Sequence, residues 1–415
     1  MRSATALSFE LDDVKLAASE LAASIKEKLS LEPNAVGILL CDADADGAAV
    51  SAELERLLGI DIAGMATLAT LDATGHHEGA LVLLVLTASD VRFTTAVSEP
   101  FSQDYSEQIV AAYRSLIPGR VAGGEPGSRP AGEGSGEVSD EASEESPALL
   151  LAFCPSGVPF SGDSFPDALA EVSGGAPIIG GVTSDDYDYE RARVFLHGTE
   201  YKQSLVLVGL WGRVRPAFSI RHVTSEFAER IRRVSEVEGN IVSRVGDESF
   251  VDYLRGFGLD VEVEDPTLSF VSFPMQLTRE EVDETPLLRH IAALDLATGT
   301  GTFLGDVPEN SLANICLINR DDLKVSARES MEGLLETMQQ SPDYEYSTVL
   351  CISCCGRAII MGTESDAEGT ILEELLPDGL TLAGAYCLGE ICPTRYVDGR
   401  ATNRFHNCSF TLCAL

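Results

Sequence analysis

The sequence predicts an α/β protein: mixed β-sheets flanked by helices, built from repeated strand-helix-strand-strand units in two domains. Three observations predict it. Short aliphatic and β-branched runs of the kind expected of buried strands recur along the chain, apolar residues at helical spacing fall between them, and the order of runs and glycines repeats three times. At 415 residues the chain also exceeds what one hydrophobic core serves, which favours two compact units.

Val14, Ala18, Leu21, Ile25 and Leu29 recur at helical spacing with Lys26, Glu27 and Lys28 interleaved, so residues 1–32 are expected as an N-terminal amphipathic helix docked on its own domain. In the first repeat, strand-like Val36–Cys41 leads into a helix with Val50, Leu54, Leu57 and Leu58 on one face and Gly59 as its stop. Expected strands at Ile60–Gly64 and Ala80–Leu86 follow. The second repeat has Ala148–Phe153, a helix begun by Pro166 and ended at Gly174, then Pro177–Gly181 and Ser204–Leu210. The third has Thr348–Cys354, a helix through Ile371, Leu372, Leu375 and Leu376, then Leu382–Gly384 and Asn407–Leu412. Between the last two, residues 214–346 read as a charged helical stretch followed by strands at Leu268–Phe273, Leu287–Ile291 and Asn314–Leu317. An amphipathic helix carrying Leu323, Met331, Leu334, Leu335 and Met338 ends that region. The expected domains are 33–222 and 223–415. Residues 119–147, with almost no apolar side chains to bury, are expected as a disordered acidic Gly/Ser-rich insert.

With 66 acidic against 29 basic residues the net charge is -37, which repels nucleic acid and anionic lipid and excludes both as partners. The basic residues are nearly all Arg, a bias that fits a GC-rich genome and a high-salt habitat equally. The first thirty residues lack a signal-peptide core, and no later apolar run is long enough for a membrane span, so a cytoplasmic location is expected. Ten cysteines in a reducing compartment are expected as free thiols. Seven of them fall between Cys351 and Cys413.

Chemistry is sought where a glycine-bearing strand meets a polar loop, because bare backbone there approaches a ligand closely. The richest runs are Gly180-Gly-Val-Thr-Ser-Asp-Asp186 and Gly384-Ala-Tyr-Cys-Leu-Gly-Glu-Ile-Cys-Pro393, with Phe405-His-Asn-Cys408 before the last strand. Each signal has a plainer reading: Glu390 as a solvated carboxylate, His406 as a structural imidazole bonded to backbone, and Arg357 as the partner of an internal acid instead of a clamp for a ligand carboxylate. Cys351, Cys354 and Cys355 read as core thiols, since Cys354 faces opposite its companions along a strand and no second Cys-x-x-Cys pair follows; Gly75-His-His-Glu-Gly79 reads as a loop tip. No metal site is expected. Cys387 with Glu390 and His406 is the sole triad-like grouping and supports an enzyme as the alternative to a binding module. No phosphate loop or dinucleotide fingerprint is present.

The run Gly384, Tyr386, Gly389, Glu390, Ile391, Pro393 with His406-Asn407, and Cys354-Cys-Gly-Arg357 upstream, resembles the C-terminal domain of the FIST family (F-box and intracellular signal transduction). Pro177-Ile-Ile-Gly-Gly181 with Asp185, then Val194-Phe with His197-Gly198, resembles its N-terminal domain. The resemblance implies a sensory protein that binds a small ligand such as an amino acid, with a signalling protein as partner because no separate output domain is present. Some members are reported to bind haem and respond to nitric oxide, so haem is the alternative; otherwise no cofactor is expected. The expected ligand contacts are backbone N–H groups of Gly180, Gly181 and Gly384, with Thr183 and Asp185 nearby, Arg357 for a carboxylate, Glu390 for an ammonium, and Tyr386, His406 and Asn407 closing the wall.

Overall fold

The computed structural model describes residues 1–102, 105–118, 146–158, 160–185, 190–223, 230–279 and 286–415. The expected disordered insert at 119–147 lies outside them apart from its last two residues. The repeat is real, and each unit is larger than its apolar runs suggest. The first unit runs β1 (Arg2–Ser8), α1 (Val14–Lys28), β2 (Asn34–Asp42), α2 (Gly47–Leu58), β3 (Asp61–Thr67), β4 (Thr70–Asp72), β5 (Gly75–His77) and β6 (Leu81–Ala88). The second runs β7 (Val91–Val97), α3 (Tyr105–Leu116), β8 (Leu149–Cys154), α4 (Ser164–Ser173), β9 (Ile178–Val182), β10 (Val194–Leu196), β11 (Thr199–Tyr201) and β12 (Val206–Gly212).

The third unit opens with β13 (Ala217–His222) and then takes an insertion. This comprises β14 (Arg232–Glu238), β15 (Ile241–Val245), β16 (Glu248–Ser249), α5 (Phe250–Arg255), α6 (Pro266–Ser269), β17 (Met275–Thr278), β18 (Leu287–Arg289), β19 (Ile291–Asp295), β20 (Thr300–Phe303) and β21 (Leu312–Ile315). The unit resumes with α7 (Arg320–Gln339), β22 (Thr348–Cys354), α8 (Cys355–Met361), α9 (Ala367–Leu375), β23 (Thr381–Cys387), β24 (Gly389–Val397), β25 (Arg400–His406) and β26 (Ser409–Ala414).

The hairpins are exchanged in a ring. The first sheet is ordered β1-β6-β2-β3-β10-β11, the second β7-β12-β8-β9-β24-β25, and the third β13-β26-β22-β23-β4-β5, so each six-stranded sheet ends on a hairpin from another unit. The insertion forms its own eight-stranded sheet. Inner faces of the three unit sheets meet in one core that joins Ile38 and Leu84, Leu151 and Val208, and Ile352 and Cys413. Helices α1 and α2 cover the outer face of the first sheet through Leu21, Ile25 and Leu54. Ile109, Leu169, Leu334 and Leu372 from α3, α4, α7 and α9 pack outside the other two. The expected boundary after residue 222 falls at the end of β13, and strands cross it in both directions.

Several local expectations are corrected. The chain opens with β1, which pairs with β6 from Arg2↔Thr87 to Ser8↔Leu81; its small residues Ala4 and Ala6 pack under α1, leaving no aliphatic signal for a strand. Among the described residues, the charged stretch after residue 214 holds strands β13, β14 and β15 and no helix. In β14 only Val234 is fully buried, so a mostly solvated strand carries charges that mimic an exposed helix. Leu268–Phe273 is the end of α6 and a turn, because Asp265 caps that helix and Pro266 starts it. Gly59 and Gly174 do end α2 and α4, both in the left-handed region.

Candidate ligand-binding site

Three equivalent glycines, Gly64, Gly180 and Gly384, sit inside paired strands. Gly180 lies between Ala152 and Ile391, Gly181 between Phe153 and Glu390, and Gly384 between Cys351 and Leu71. A Cβ at Gly180 would come within 1.9 Å of the Ala152 carbonyl oxygen and one at Gly64 within 2.0 Å of that of Leu39. The repeated glycine therefore lets neighbouring strands close on each other. Thr183 donates its backbone N–H to Cys154 at 2.8 Å, and Asp185 accepts the N–H groups of Arg191 and Ala192 at 3.0 and 3.1 Å.

Arg357, at the start of α8, is fully buried and spends its donors internally. Its guanidinium donates to Glu368 at 2.7 Å, to Leu323 O and Ser326 Oγ at 3.0 Å, and to Cys408 O at 3.3 Å. The other Glu368 oxygen accepts from Tyr386 at 2.9 Å and Ser353 at 3.0 Å. Of the two readings of Arg357, the geometry is that of an internal ion pair, and Tyr386 belongs to it.

Glu390 is also fully buried. Its Oε2 accepts from Ser409 N and Oγ at 3.2 and 2.7 Å, while Oε1 has no partner. Burial, and then the neighbouring Cys354, push its carboxyl well above the usual carboxylate range. Asn407 accepts from His290 N at 3.3 Å and leaves Nδ2 unpartnered. Cys387 is buried and packs at the face of Gly181, with its thiol pushed up by burial.

Among the expected contacts, His406 is the one that borders a cleft, although it is itself fully buried. The cleft, of about 440 Å³, lies between α4, the β24-β25 hairpin and the insertion. Arg289, Arg395 and Arg404 face it together with Asp163, Asp167 and His222. Arg289 is buried and tied to Asp163 at 2.8 Å, to Asp306 O at 2.8 Å and to Phe405 O at 3.0 Å. Burial pushes the Asp163 carboxyl up against the opposing pull of Arg289, and Asp167 likewise against Arg404.

The imidazoles form a polarised pair. His406 Nε2 lies 3.2 Å from Cys392 O, which only accepts, so Nε2 carries the proton. Burial holds His406 well below the ordinary imidazole range, and with the proton on Nε2 its Nδ1 is a bare lone pair. His222 Nε2, 3.2 Å from that atom, must donate to it. Burial, followed by the charges of Arg289 and Arg357, pushes His222 down to about 3. Its Nδ1 is therefore an acceptor, buried and without a partner, in a residue that lines the cleft.

Sequence reasoning missed His222, Arg289 and Arg404. The available signals were an Arg-His pair interrupting the apolar run Leu287–Ile291 and two arginines, Arg395 and Arg404, on facing strands of one hairpin.

The family models for the FIST N domain and the FIST C domain match residues 35–248 and 248–393 respectively. No curated protein matches significantly in sequence. Solved structures matched include phosphoribosylformylglycinamidine synthase II from Thermotoga maritima, at 9% identity over 99% of this chain and 72% of that one with a TM-score of 0.20. Another is T. maritima PurL complexed with ATP, at 10% identity over 99% and 71% with a TM-score of 0.19. Likeness that slight carries no argument about fold or function. The match of both domains over most of the chain does: the chain belongs to the FIST family, whose domains are small-ligand sensory domains of signal transduction.

Proposed function

We propose that this protein senses a small carboxylate ligand, an amino acid or similar acid, bound in the cleft between α4, the β24-β25 hairpin and the insertion, and passes that state to a signalling partner in the cytoplasm. The observation that carries the reading is the unpartnered Nδ1 of His222, a residue that lines the cleft together with Arg395 and Arg404. A bare acceptor calls for an O–H or N–H donor on the ligand, and the guanidinium groups call for an anion. In a chain of net charge -37 such a local cluster of arginines recruits an anion that the rest of the surface repels.

Haem fits this cleft poorly, because half of the residues on its wall are charged and both His406 nitrogens are engaged. The enzyme reading loses its grouping, since the pair of His406 is His222 and Cys387 packs against Gly181. The test is a thermal-shift screen of amino acids and small acids, in which a ligand at one hundred times its dissociation constant adds about 2.7 kcal/mol. Arg404→Ala is expected to weaken a hit by about 1.5–3 kcal/mol, the value of a charge-assisted hydrogen bond. A hit bound equally by Arg404→Ala and the parent would place the site elsewhere.

A further inference from the structure

Behind the cleft wall lies a second cluster that neither the ion-pair network nor the ligand reading uses. Cys354 ends β22, and extending the β22-β26 register beyond Ser353↔Phe410 sets it across from Ser409. Cys408 is the residue before, and its φ of 55° puts it in the left-handed region that side chains other than glycine rarely adopt. In a regular strand its thiol would face away from that of Cys354; the left-handed turn brings it to the same side. The two thiols are hydrogen-bonded to each other, and Cys354 is bonded as well to Cys355 and His290. Cys408 Sγ lies 2.7 Å from His290 Nε2.

That separation decides between two readings of the cluster. Ligand atoms on a tetrahedral zinc, at about 2.3 Å for sulfur and about 2.0–2.1 Å for nitrogen, stand about 3.5 Å apart. At 2.7 Å the pair is hydrogen-bonded, with no room for an ion between them, and among the described residues no trio of His, Cys, Asp and Glu converges as a metal site does.

We propose that Cys354 and Cys408 are a peroxide-oxidisable dithiol, with Cys354 as the attacking sulfur and Cys408 as the resolving one. The Cys354 thiolate attacks one oxygen of hydrogen peroxide, the O–O bond breaks, and the departing hydroxide takes a proton to leave as water, giving a sulfenic acid. Cys408 sulfur then attacks the Cys354 sulfur, the S–O bond breaks, and the Cys408 proton leaves with the hydroxyl as a second water. The two sulfurs lose two electrons and peroxide gains them.

The surroundings favour this order. Hydrogen bonds from Cys355, Cys408 and His290 hold the Cys354 thiol well below its ordinary range, whereas burial pushes Cys408 up and keeps its proton on. Burial likewise pushes up Cys41, Cys154, Cys351, Cys387, Cys392 and Cys413. Cys355 opens α8, and a bridge between adjacent cysteines would break that helical turn, so Cys408 is the partner. All of these thiols are buried, which excludes a bulky disulfide as the oxidant and leaves one as small as peroxide.

The test is peptide mapping of the intact protein after mild hydrogen peroxide, with free thiols alkylated before digestion. Expected is loss of two of the ten thiols and a single crosslink joining the peptides of Cys354 and Cys408, reversed by dithiothreitol. Cys408→Ser should instead leave a sulfenic acid on Cys354 that dimedone traps, and Cys355→Ser should keep the crosslink. Ten alkylatable thiols after treatment, or a crosslink through other cysteines, would overturn the proposal. Neither result bears on ligand binding in the cleft, which is measured separately.

Discussion

Two arginine sites in this molecule look alike in sequence and differ in what they can do. Arg357 is sealed between α7, α9 and β26 with every nitrogen given to an internal acceptor, while Arg404 stands half-buried on a cleft wall near Asp167. A guanidinium is a candidate for a ligand when its donors point into open space. One whose donors are spent holds elements together, and removing its partner strands a charge in the core.

The largest expected effect follows from that contrast. Glu368→Ala should cost about 3–5 kcal/mol, because it leaves Arg357 charged and uncompensated, whereas Arg404→Ala should stay within about 0.5 kcal/mol of the parent as a surface change does. Urea unfolding of the two variants side by side measures both, and similar losses would erase the distinction. Next comes Gly180→Ala. Its methyl would meet the Ala152 carbonyl oxygen at 1.9 Å, so the parallel strands must part, at about 1–3 kcal/mol. A variant as stable as the parent would show that the glycine is kept for something other than strand packing.

Acid titration sharpens the comparison from the side of the cleft. His222 sits at about 3 when folded and at about 6.5 when unfolded, so between those values the unfolded chain binds the extra proton. Its contribution to stability is complete above about pH 6.5 and falls on acidification by about 1.4 kcal/mol per pH unit. His406, also lowered by burial, adds to the same loss. Stability measured by denaturant between pH 7 and 5 should fall, and replacing His222 by Gln should flatten part of that slope.

Glu390 has the opposite sign and the smallest effect on the fold. Its carboxyl is raised by burial and by Cys354, so the stability it contributes is present below its unfolded value and fades as pH rises towards the folded one. Gln is already neutral. Glu390→Gln should therefore match the parent within about 1 kcal/mol at pH 5 and equal or exceed it at pH 8. Loss of the fold at both pH values would mean that the buried group is the charged carboxylate.

Much of this architecture was legible in the chain. Apolar runs located the central strands of all three units, Gly59 and Gly174 marked helix ends, and α7 was visible from Leu323, Met331 and Leu334 at helical spacing. These signals are local, arising from burial on both faces of a strand or one face of a helix. Edge and solvated elements were not visible: β1 is built of small residues and β14 of charges, and neither has to bury a regular apolar face.

The sequence by itself determined the three-unit pattern, the family and the identity of the polar residues near the C-terminus. Tertiary structure alone decided which of them meet. The exchange of hairpins sets Gly181 beside Glu390 and the β4 strand beside β23, and the insertion brings Arg289 and His290 to the second and third units. Such partners lie a hundred or more residues apart, and no periodicity along the chain records a contact between strands that belong to different units. Whether an arginine faces a ligand or a glutamate is fixed by that pairing, because only packing determines which donors remain unspent.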